Sequence, residues 1–139
     1  LLWTQTVKML WPLVIACCCL SQTEAAITLA QIQHQHEVTS GALLRYNIAN
    51  DELHVLASQQ QAAWNRWQAL SGLAVLFYAS GDYQRGDMMQ SAAVVEQAEY
   101  NRVTALLPAK RADVENAWQS YLRAYDRLNA MLMAYRNQG

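Results

Sequence analysis

The chain has 139 residues, 53% of them hydrophobic and 15% charged, with a formal net charge of −1. That length holds one domain with a modest core, and the near-neutral balance lacks the basic excess expected of a nucleic-acid-binding surface. The three cysteines stand together at Cys17, Cys18 and Cys19, which excludes a disulfide framework and the spaced ligands of a zinc site in the rest of the chain.

Residues 1–25 read as an export signal. Lys8 is the only charge ahead of a run from Met9 to Leu20 in which every residue is apolar, proline or cysteine. The run is too short to span a bilayer comfortably. Two ways of processing it stand side by side. Thr23-Glu24-Ala25 before Ala26 supplies the small residues of a general signal-peptidase site, whereas Val14-Ile15-Ala16-Cys17 resembles a lipobox and would leave Cys17 lipidated at a membrane. Either route implies an exported protein of a bacterium, periplasmic or attached to the outer membrane through Cys17, with residues 26–139 as a single helical domain.

From Ile27 the chain reads helical, and Gly41 is the first point at which a helix would kink or end. A stripe then emerges from Tyr46 through Ala49, Leu53, Leu56, Gln60, Ala63, Trp67, Leu70 and Ala74 to Phe77, spaced alternately by three and four. Only Gln60 in it is polar, so one amphipathic helix is expected there. The segment Gly81-Asp82-Tyr83-Gln84-Arg85-Gly86 is the clear turn, and Asp87 with Gln90 three positions on is the expected cap of the next helix. That helix carries Met89, Ala93, Tyr100, Val103 and Leu107 on one face, with Glu96 intruding. Pro108 then suggests a kink or a restart. The last stretch repeats the pattern with Val114, Trp118, Tyr121, Tyr125, Leu128, Leu132 and Tyr135, which predicts that Trp118 and Tyr125 are buried.

An internal echo runs through these stripes. Tyr46-Asn47 precedes Ala63-Trp64 and Trp67 by the same offsets at which Tyr100-Asn101 precedes Ala117-Trp118 and Tyr121, suggesting a diverged repeat of 54 positions. The expected fold is therefore all-α: an antiparallel helical bundle built from two helical arms, roughly residues 26–80 and 88–137, joined by a short turn. A straight hairpin of such arms would be about 80 Å long and would leave aromatic surface exposed. Folding back at Gly41 and Pro108, or dimerisation of two hairpins, would cover it, and the compact fold-back is the expected form.

Chemistry has little to stand on. His34 and His36 point to nearly opposite sides of a helix, so with Glu37 they make no metal cluster. The paired Glu-x-x-His of di-metal bundles is missing. Glu96 and Glu99 share a face, but Arg102 follows Glu99 by three, which predicts an ion pair. There is no phosphate loop, and Arg85-Gly86-Asp87 spells an adhesion tripeptide too short to be informative. No catalytic residue, cofactor or metal is expected.

Gln61, Trp64 and Trp67 form a Gln-x-x-Trp-x-x-aromatic motif, followed by the glycine-containing turn from Gly81 to Gly86, Met88-Met89 and Arg102. This stretch resembles the LprI-type lysozyme-inhibitor domains, which are secreted helical modules of bacteria. Asp51-Glu52-Leu53-His54 and Asp126-Arg127-Leu128-Asn129 are similar to that family's Asp-x-Leu-Asn. Its usual Arg-Asp is replaced here by Gln68-Ala69, and its cysteine pair falls on Gly72 and on Ala93 or Val94. The resemblance covers about a third of the chain and implies a disulfide-free member with a protein partner, lysozyme, and no catalytic residues. The turn residues Asp82, Tyr83, Arg85 and Asp87 are the candidate partner-binding group, because Tyr and Arg dominate binding interfaces and a short turn orders cheaply. The alternative reading is a structural envelope lipoprotein that packs into a homodimer or a larger assembly.

Overall fold

The computed structural model describes residues 25–139, so Cys17 and all but the last residue of the stretch read as an export signal lie outside the described residues. Two helices account for nearly all of the rest. Helix α1 spans Leu29–Ala79 and helix α2 spans Tyr83–Asn137, each about 80 Å long at 1.5 Å per residue. They pack on each other along their length as an antiparallel hairpin, and no strand occurs among the described residues. The two-armed, all-α architecture expected from the stripes is therefore what forms.

Each helix end is written into the sequence. Thr28 starts α1 with a full capping box: its Oγ1 accepts from Gln31 N at 3.2 Å while Gln31 Oε1 accepts from Thr28 N at 2.8 Å. Thr-x-x-Gln is a recognised opening, one that the apolar spacing alone did not single out. The far end closes as a Schellman turn. Gly81 N donates to Tyr78 O and Asp82 N to Phe77 O at 3.1 and 2.9 Å, with Gly81 at φ 82°. That left-handed conformation favours glycine. Asp82 then caps α2 by accepting from Arg85 N at 3.1 Å. The cap is thus Asp82 and not Asp87, and Tyr83 to Asp87 form the first turn of α2 instead of a loop.

The buried seam of α1 begins at Ile32, Gln35, Thr39 and Ala42 and continues through the stripe from Tyr46 to Phe77. Every step is three or four residues, a heptad pattern with a period of 3.5. On α2 the seam takes Gly86, Met89, Ala93, Glu96, Tyr100, Val103 and Leu107, as the spacing implies. It then continues through Lys110, Val114, Ala117, Tyr121, Ala124, Leu128 and Met131. Ala63 and Val103 at its middle are fully enclosed.

Two further expectations fail. Neither Gly41 nor Pro108 folds an arm back; both lie inside unbroken helices. A glycine costs a helix only about 1 kcal/mol. The amide that Pro108 lacks removes one backbone bond, while Val103 and Leu107 just before it are buried in the seam and hold the helix on course. Nor is Tyr125 buried: it is 44% exposed, and Trp118 is only half-buried. The cause lies on α1, where Gln35 Nε2 and Thr39 Oγ1 reach Ala124 O at 3.1 and 3.2 Å. Such contact with the backbone of α2 requires a small residue at that seam position. Alanines 117 and 124 therefore face α1, and the neighbouring aromatics turn to the flank.

Candidate protein-binding surfaces

The apex of the hairpin gathers the four predicted residues. Tyr83 is 67% exposed at the tip, with its ring 6.3 Å from that of Tyr78. Arg85 lies with its guanidinium 5.8 Å from the Phe77 ring centroid and 3.4 Å from Asp82 Oδ2. Asp87 accepts a 2.7 Å hydrogen bond from Tyr78 Oη, which raises the Tyr78 pKa, since ionising the phenol would forfeit that bond. Gly86 is buried beneath the Tyr78 ring, where a Cβ would come within 2.5 Å of Cε1. Phe77 and Tyr78 thus support the apex from α1, a role the sequence did not reveal because they lie across the turn. Arg85-Gly86-Asp87 is helical, with its glycine covered, so it is not offered as an adhesion loop.

Two different flanks run down the sides of the hairpin. One carries the interhelical ion pairs: Arg66 Nε to Glu96 Oε2 at 2.9 Å, and Lys110 Nζ to Glu52 Oε2 at 2.5 Å. Glu96 and Lys110 are seam positions, and each charge meets a partner on α1, the paired Glu96 Oε2 being itself buried. The hydrogen bond to Glu52 raises the Lys110 pKa against the opposing effect of desolvation. On α2, Arg102 holds Glu99 bidentately at 2.7 Å for both bonds, which lowers the Glu99 pKa. The ion pair expected from the i,i+3 spacing is present, and Glu96 and Glu99 serve separate arginines. Exposed aliphatic residues such as Ile48, Val55 and Leu76 alternate with these charges.

The other flank is aromatic. Trp64 and Trp67 meet edge-on at 5.0 Å, and Tyr100 joins them at 5.3 and 6.2 Å. Further toward the base, Trp118 and Tyr121 lie 5.4 Å apart, with Tyr46 at 5.0 Å from Trp118. Each triad thus takes two rings from one copy of the 54-residue repeat and one from the other. Gln60 and Gln61 line a shallow groove with Trp64 and Tyr100, and Gln60 Nε2 donates to Thr104 Oγ1 at 2.8 Å.

At the base, Ala25, Ile27, Arg127, Met131 and Gln138 line one open cleft, so both ends of the described chain sit opposite the apex. His34 and His36 are exposed there, and no group that could hold a metal occurs among the described residues. No helix among them is long and apolar enough to cross a membrane. Comparison of the chain with family models, curated proteins and solved structures finds no match.

Proposed function

We propose that this is an exported, non-catalytic protein-binding module that presents the apex of its hairpin to a protein partner. The observation carrying this reading is the exposure of Tyr83 on a backbone already fixed by a Schellman turn and an Asp82 cap. A side chain held on ordered backbone loses little entropy on binding. The hairpin supports it too, because the segment carrying the export signal or the lipidated Cys17 attaches at the base, about 80 Å from the tip. Lysozyme is the partner the sequence resemblance suggests. Its basic surface suits an apex where Asp82 and Asp87 outnumber Arg85. The test is lysozyme activity with the full chain and with a Tyr83→Ala, Arg85→Ala variant shown to be folded. Inhibition by the first and not the second is the expected result. No inhibition by the wild type at micromolar excess removes lysozyme, and equal inhibition by both moves the contact off the apex.

A second reading, a structural envelope component that packs into a larger assembly, is favoured by the flanks. Large apolar side chains along both sides stay uncovered in a single hairpin, among them Trp64, Val55, Leu76, Tyr125 and Leu132. Exposure on that scale marks interaction surfaces.

A further inference from the structure

We propose that the aromatic flank is a homodimer interface, on which a second copy of this chain lays its own aromatic flank to complete a four-helix bundle. The proposal rests on the assembly reading above and is independent of the apex. Its first support is symmetry. The pairs Tyr46–Trp118 and Tyr100–Trp64 have nearly the same geometry, 5.0 Å and 51° against 5.3 Å and 50°. An antiparallel hairpin whose arms repeat at 54 residues has an approximate twofold axis perpendicular to the plane of its helices. This axis emerges from the aromatic flank near Ala57, midway between the triads. Each triad lies about 13 Å from it, given nine residues of helix on either side of residue 55. A second copy placed face to face about the same centre therefore sets triad against triad, whether its helices run parallel or crosswise-reversed. That is the self-complementarity an isologous dimer requires.

Charge supplies the second support. The heptad positions of α1 that point to this flank, from Gln33 to Val75, include no Asp, Glu, Lys or Arg. They are Gln, Asn, Ser, His and apolar residues, and on α2 the same flank adds Asp87, Arg111, Glu115 and Arg136, two of each sign, so the flank carries no net charge. The opposite flank carries Arg45, Glu52 and Arg66 in the equivalent places, and its charges do not repeat at 54 residues. Area supplies the third. Two helices about 10 Å wide and 75 Å long offer roughly 1,500 Å² per copy, or about 3,000 Å² in all. That falls within the range of obligate homodimers. Tyr and Trp in half-exposed positions are also the residues enriched in such interfaces.

The test places a photo-crosslinking phenylalanine analogue in the full chain, expressed in a bacterial host, at Ala57 or at Ala69. Both are exposed; the first lies on the aromatic flank beside the axis and the second on the charged flank. Irradiation is expected to give a self-adduct of twice the chain mass from Ala57, at least tenfold more than from Ala69. Tyr125→Glu together with Leu132→Glu, both outside the seam, should cut the Ala57 adduct several-fold while helicity by circular dichroism is retained. Self-adducts from Ala69 alone, or equally from both sites, overturn the choice of flank. An adduct of Ala57 with a different protein overturns the second copy but leaves the assembly reading standing. No adduct from either position removes both.

Discussion

Tyr46 stacks on Trp118 at 5.0 Å with a 51° tilt, across the seam from a residue 72 positions later. The same contact recurs between Tyr100 and Trp64 with the helices exchanged. Four residues that define a repeat in the sequence thus form two equivalent clamps, each joining α1 to α2. Because each tryptophan is only partly enclosed, its truncation costs less than the roughly 3–5 kcal/mol of a fully buried ring. Trp64→Ala and Trp118→Ala are each expected to destabilise by about 2 kcal/mol, and by similar amounts. The clamps are about 27 Å apart along the helix axis, so the double variant should lose the sum. Urea unfolding of the three variants measures this. Strong non-additivity would mean that the hairpin ends do not behave as separate units.

The Glu99–Arg102 pair gives a pH-dependent expectation. Two charge-assisted bonds hold the Glu99 carboxylate and set its pKa below the ordinary glutamate value, with desolvation acting the other way. A lowered folded pKa means that the pair's contribution is present above the unfolded pKa, near 4.3. It fades as pH falls through the folded value. Carboxyl-carbon NMR titration should find Glu99 below the ordinary glutamate range, and Arg102→Gln should move it back up. An unchanged Glu99 titration in that variant would show that the pair does not form in solution. The pair lies on the surface within one helix, so the effect on overall stability is small.

How much of this was legible depends on residue size. The α1 seam from Tyr46 to Phe77 could be read step by step, since its large residues mark the face that packs. The first half of α2 was equally plain, Glu96 included. Beyond Pro108 the reading slipped by one position at Trp118, Tyr125 and Leu132. There the contact is made by Ala117, Ala124 and Met131, and hydrophobic bulk is a poor guide where a backbone must come close. No pattern of apolar residues announces that Gln35 and Thr39 will hydrogen-bond to the carbonyl of Ala124. At the apex the turn was visible, but the cap was expected at Asp87, and the Schellman geometry places it at Asp82 instead. Tyr83, Arg85 and Asp87 lie on the first turn of α2 and not on a loop, and Tyr78 and Phe77 beneath them were not foreseen.

The glycines offer the sharpest check on the hairpin, because three of them sit in α-helix under different constraints. Gly72 lies exposed within α1 with nothing within 4 Å of a built Cβ, and at Gly41 only Arg45 Nη1 comes near, at 3.8 Å. Alanine at either site keeps the helix and restricts the unfolded chain, so each change should stabilise by about 0.4–1 kcal/mol. Gly86 is helical as well, yet its Cβ would meet Cε1 and Cδ1 of Tyr78 at 2.5 and 2.6 Å. Gly86→Ala must displace that ring, stretch its 2.7 Å bond to Asp87 and loosen the contact between Tyr78 and Tyr83. The intrinsic helical gain of alanine, again under about 1 kcal/mol, is outweighed by overpacking of about 1–3 kcal/mol. Thermal unfolding should therefore show Gly41→Ala and Gly72→Ala melting above the wild type and Gly86→Ala below it. If the chain broke at Gly41 instead, alanine there would fail to stabilise. If the apex were a loose loop, Gly86→Ala would be neutral.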